Sequence, residues 1–218
     1  MAFVDPLALQ LFTLAFVATL LFYSGAVGYL NYRRHGHHKT YEHLRGAAIP
    51  LAGLGVIVFA IGIWGELTWP LPGSYNILFY DPYSLLGIIL VAFAVSVLLR
   101  LRTQYVGVLA GVTGALSIYY GVSAYGLGMT AEPIAMLFLY IALGGTAVLT
   151  FPVTVYIDRM VVVPELENLP DVERKTLTLP WKLAYGGFLL FLLFAVASAI
   201  LALAIGGGAL GSHLASAP

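Results

Sequence analysis

Six apolar runs alternate with short polar breaks along this chain. They cover residues 7–30, 46–65, 83–99, 104–126, 134–157 and 181–205. A helix needs about 20 residues to cross a hydrocarbon core about 30 Å thick, and each run has about that length. Lys182, at the edge of the last run, is the only Asp, Glu, Lys, Arg or His in any of them. Backbone in lipid must satisfy its own hydrogen bonds, so the runs are helices rather than isolated strands. The pattern predicts an all-α membrane protein. It is a single bundle of six transmembrane helices occupying residues 1–218.

The polar breaks orient the bundle. The first, residues 32–45, carries four of the five histidines and four of the ten Lys and Arg. With this break in the cytoplasm, Arg100, Arg102, Arg159, Arg174, Lys175 and Lys182 fall on the same side. No cation is then left on the other. Cationic loops stay cytoplasmic, so both termini are expected outside. Composition agrees: 9% of residues are charged and 61% are apolar, against roughly 25% charged in soluble domains. Mean hydropathy is +0.94. The net charge of zero implies no nucleic-acid partner. Absence of cysteine excludes disulfides, thiol catalysis and thiolate metal sites. Only three Asn and two Gln occur, a bias toward a hot-environment source. The first residues lack a basic region, so the first run is expected to be retained.

Acids mark the other side: Asp5, Glu66, Asp81 and Glu132. Asp5-Pro6, Asp81-Pro82 and Glu132-Pro133 each read as a helix start, with an acid beside free N–H groups and proline at the first helical position. Glu66 departs from that pattern. It closes helix two at the negative dipole end, between Trp64 and Trp69, with no cation on its side. One reading is a hydrated interfacial carboxylate. The other, which makes Glu66 the candidate functional acid, is a protonated acid or a cation ligand.

The connection 67–80 is too apolar for a free loop. Pro70, Pro72 and Gly73 turn it, and Trp69, Tyr75 and Asn76 complete a candidate outer cap or lid. The run Glu66-Leu67-Thr68-Trp69-Pro70-Leu71-Pro72-Gly73-Ser74-Tyr75-Asn76-Ile77-Leu78-Phe79, followed by Asp81-Pro82, resembles an archaeal family of polytopic membrane proteins known as a domain of unknown function. The resemblance implies a multi-pass protein of an archaeal plasma membrane. It implies no activity, cofactor or catalytic residue.

Helix four carries Gly107, Gly111, Gly114 and Gly121 close to one line, a stripe suited to close helix packing. Tyr119, Tyr120, Tyr125 and Tyr140 add hydroxyls near the outer half of helices four and five. Pro152 is expected to bend helix five. Residues 158–180, with five acids and three bases, read as a solvated connector, and the tail after Ile205 as frayed.

His35, His37, His38, Glu42 and His43 form the densest potential metal set. Four basic residues crowd it, and the competing reading is a basic loop on anionic lipid headgroups. Haem is disfavoured because no histidine lies inside a spanning run. No nucleotide loop, nucleophile elbow or paired-carboxylate site is visible. The sequence therefore predicts a non-enzymatic membrane protein without a cofactor. It is either a channel-like transporter of a small solute or ion, or an accessory subunit. Its partners are the bilayer, anionic headgroups, and a homo-oligomer or larger membrane complex. The alternative is a metal-dependent membrane enzyme at the histidine-rich break.

Overall fold

Every apolar run is a helix in the computed structural model, which describes residues 6–35, 37–158 and 181–215. The helices are α1 (Pro6–His35), α2 (His37–Thr68), α3 (Ser74–Leu98), α4 (Gln104–Gly126), α5 (Pro133–Ile157) and α6 (Trp181–Ala215). All six are long and apolar enough to cross a membrane. Each packs on its neighbours in sequence, and α6 returns to pack on α1. The result is a closed ring of six helices. Its outer surface is apolar: Phe16 is 58% exposed, Val112 65% and Leu193 63%. Such a surface suits lipid as its solvent.

Three helix boundaries differ from the sequence reading. The polar break 32–45 is helical on both sides of Gly36, because α1 runs to His35 and α2 begins at His37. Arg, Lys, Glu and Leu are good helix formers, so polarity alone did not end either helix. α3 begins at Ser74 rather than at residue 83, which places Asp81 and Pro82 in its interior. These two are therefore not a helix start. α6 continues through Gly206, Gly207 and Gly208 to Ala215. A glycine costs a helix about 1 kcal/mol, which an apolar setting that demands paired backbone overrides. Glu132 and Pro133 do stand at the N-cap and first turn of α5, though the Glu132 side chain makes no capping bond. Asp5 and the connector 159–180 lie outside the described residues.

The helix ends show how the backbone is finished. α3 closes with Arg100 at φ 56°, Arg100 N–H on Val97 O and Leu101 N–H on Ser96 O. α4 closes the same way with Gly128 at φ 60°, donating to Tyr125 O, while Met129 donates to Ala124 O. Both are Schellman endings. α4 starts under a foreign cap. Asp158, 3% exposed, accepts hydrogen bonds from Thr103 N (2.6 Å), Thr103 Oγ1 (2.7 Å) and Gln104 N (2.7 Å). A carboxylate there meets free N–H groups and the positive helix end. Asp158, read from sequence as part of a solvated connector, is in fact a buried tie between α5 and α4.

Glycines set the helix spacing. A Cβ on Gly107 would overlap Thr154, and one on Gly114 the Gly144 carbonyl; Gly121 abuts Tyr140. This face of α4 thus lies directly on α5. Gly111 is looser: a Cβ there would lie 3.6 Å from Phe151 Cβ. Between α2 and α3, Gly62 meets Ser84, Gly65 meets the Tyr80 ring and Gly87 meets Phe59.

Candidate functional site

A partly open cavity of about 230 Å³ lies within the ring, and all six helices contribute to its lining. Along α1 its lining runs from Leu7 to Tyr29, about 33 Å at 1.5 Å per residue. Leu14, Val17, Leu90, Phe93 and Phe191 supply apolar walls. Among the described residues, no Asp, Glu, Lys, Arg or His lines it. Holding one water takes about 10–15 Å³ measured this way, so the space is well over ten times that threshold. Several lining hydroxyls are turned back to their own helices. Ser24 donates to Leu20 O (2.7 Å), Thr146 to Ala142 O (2.8 Å) and Ser198 to Phe194 O (2.7 Å).

Two tyrosines tie helices that are not neighbours in the ring. Tyr83 of α3 bonds Thr13 of α1. Tyr140 of α5 donates to Leu78 O of α3 at 2.6 Å. Leu78 is four residues before Pro82, so its carbonyl has lost its usual helical donor. The Tyr140 hydroxyl fills that gap, which helps explain how α3 tolerates an internal proline.

A second locus lies where α2 ends. Glu66 and Asp81 are near neighbours there. Asp81 Oδ2 accepts from the Tyr120 hydroxyl at 2.8 Å. Glu66 Oε1 is buried without a hydrogen-bond donor. Two neighbouring carboxyls suit a cation or a hydrogen-bond donor between them. Sequence reasoning singled out Glu66 but set Asp81 aside as a helix start. The partner was hidden because α3 begins nine residues earlier than expected. None of Glu66, Asp81 and Tyr120 lines the cavity.

The segment after Glu66 is a short, bonded turn. Trp69 takes φ 47° and Gly73 φ 55°. Pro70 and Pro72 are exposed. Asn76 is fully buried and already in α3. It donates through Nδ2 to Gly65 O (3.1 Å) and accepts from Leu71 N (3.3 Å). Tyr75 donates to Met129 O, joining this turn to the α4–α5 connection. None of these six candidate cap residues lines the cavity.

The histidine-rich break is described in part. His43 lies 6.3 Å from the Tyr23 ring, with Nε2 buried and unpartnered. Glu42 is exposed. The side chains of His35, His37 and His38 lie outside the described residues. Among the described residues, no three His, Asp or Glu gather as a metal site. Nearby, Arg100 stands over the Tyr41 ring at 5.7 Å, and Tyr41 donates to Val97 O (2.5 Å).

Sequence reasoning passed over Gln10, a lone amide in the first apolar run. It is 2% exposed and lines the cavity. Its Nε2 has no hydrogen-bond partner. Polar groups at membrane depth deserve a functional reading by default, and that signal was present in the sequence.

Searches of curated proteins and of solved structures returned no match. Over residues 1–216 the chain matches a family described as "Protein of unknown function (DUF981)", and it belongs to that family.

Proposed function

We propose that this protein sits in an archaeal plasma membrane, both termini outside the cytoplasm, and passes or holds a small uncharged solute inside its helix ring in a channel-like manner. One observation carries the reading: a cavity contributed to by all six helices and lined, among the described residues, without any ionised side chain. An ion in such a space would lose its hydration and find no compensating charge. An uncharged solute meets no such barrier. Basic residues such as Arg45 and Arg102 then face the cytoplasmic headgroups, as the inside-positive rule has it. The experiment is flux through protein-containing vesicles. Passage of uncharged solutes should accelerate without ion current, and Ala195→Phe, which places a ring in the cavity, should abolish it. An ion current, removed by the same substitution, would refute the reading.

A further inference from the structure

We infer that the middle of the cavity is a binding site for a small polyol, and that Thr113 and Ser117 of α4 are the residues that recognise it. This rests on reading the cavity as a compartment for small uncharged solutes, and it narrows the class of solute. Both residues line the cavity, and both are buried, at 6% and 9% exposed. Among the described residues, neither hydroxyl has a hydrogen-bond partner. Unlike the sealed amide nitrogen of Gln10, both oxygens retain accessible surface. Val106 and Ala110 share their face of α4 and line the same space, so that surface opens inward rather than to lipid.

A helical serine or threonine without another partner commonly donates to a carbonyl one turn back. The other serines and threonines of the lining, Ser24, Thr146, Thr150, Thr154 and Ser198, each do so on their own helix. Thr113 and Ser117 keep both proton and lone pairs free. Buried polar groups are nearly always satisfied, so two such hydroxyls side by side call for a ligand. They stand one turn apart at the centre of α4, with residues 104–112 before them and 118–126 after. Their Cβ atoms are therefore about 5–6 Å apart. At the same level, a Cβ on Gly114 would lie 2.9 Å from Ala147 Cβ, and the preceding Thr146 stands 3.4 Å from Ser198. Those two have given their protons to their own helices and offer lone pairs. A ligand here must both donate and accept. A hydroxyl does both through one atom, whereas an amide nitrogen only donates and a carbonyl only accepts. Two or more hydroxyls on a short carbon body suit the pair and leave the carbons to the alkyl walls.

The test uses the full-length chain in vesicles and labelled erythritol, a four-carbon polyol. Uptake should saturate. Thr113→Val and Ser117→Ala remove one hydroxyl each at nearly constant shape. Each should raise the half-saturating concentration by roughly three- to tenfold, the worth of one neutral hydrogen bond. Thr113→Ser keeps the hydroxyl and should stay near the parental value. The chain has no cysteine, so Ser117→Cys supplies a single thiol. It should react with methyl methanethiosulfonate in detergent, and erythritol should slow that reaction. An unchanged half-saturating concentration in both Thr113→Val and Ser117→Ala, or a Ser117→Cys thiol that erythritol does not protect, overturns the role of the two hydroxyls. Exclusion of erythritol while water or urea passes overturns the polyol site and leaves the compartment standing. Passage of no uncharged solute at all overturns the compartment and the inference with it.

Discussion

The bond from Tyr140 to Leu78 O makes a prediction whose size follows from its geometry. Pro82 removes the N–H that Leu78 O would accept within α3. Tyr140, 7% exposed, replaces it from across the ring at 2.6 Å. Tyr140→Phe deletes only the hydroxyl and strands a buried carbonyl. Leaving such a buried group unsatisfied costs about 1–3 kcal/mol. Pro82→Ala restores an N–H four residues after Leu78. In that background the carbonyl keeps a donor, so Tyr140→Phe should cost about 1 kcal/mol or less. Pro82→Ala will also change stability by itself, by up to about 3 kcal/mol from helix propensity. The double-mutant cycle removes that contribution and isolates the coupling. Reversible unfolding in mixed micelles, followed by helical circular dichroism, measures all four corners. A coupling of about 1 kcal/mol or more is expected. Equal cost of Tyr140→Phe in both backgrounds would refute the argument, since the hydroxyl would then act through something other than the orphaned carbonyl.

Three further outcomes follow from the same structure. Asp158→Asn keeps the shape of the α4 cap but swaps one acceptor oxygen for a donor facing N–H groups; it should destabilise by about 1–3 kcal/mol in the same unfolding assay, and a change near zero would remove Asp158 from the capping role. Glu66→Gln gives Asp81 an amide donor in place of a second acid, so the melting temperature in detergent should hold or rise; a clear fall would show that the Glu66 charge itself is needed. Cysteines at Gly36 and Ser74 should react with an impermeant maleimide from the cytoplasm and from outside respectively, and labelling of Gly36→Cys on intact cells would invert the proposed orientation.

What the sequence disclosed, and what it hid, divides along the range of the interactions involved. The six helices were legible because charge poverty and run length act locally: an unbroken apolar run of about 20 residues satisfies its own hydrogen bonds in lipid as a helix. The glycine line on α4 was legible for the same reason, since helical periodicity alone gathers Gly107, Gly114 and Gly121 on one face. Asp81 and Pro82 misled because their local chemistry matches a helix start. What keeps them inside α3 comes from afar: Tyr140 lies 62 positions from Leu78 and Tyr120 lies 39 from Asp81. Asp158 likewise reads as a solvated acid until Thr103, 55 positions away, is brought beneath it. Gln10 is the instructive case. Its neighbours in sequence are apolar, so its amide had to find a partner elsewhere in the ring or stay open. Only the closed ring shows that Gln10 is buried beside the cavity with its amide nitrogen unpartnered.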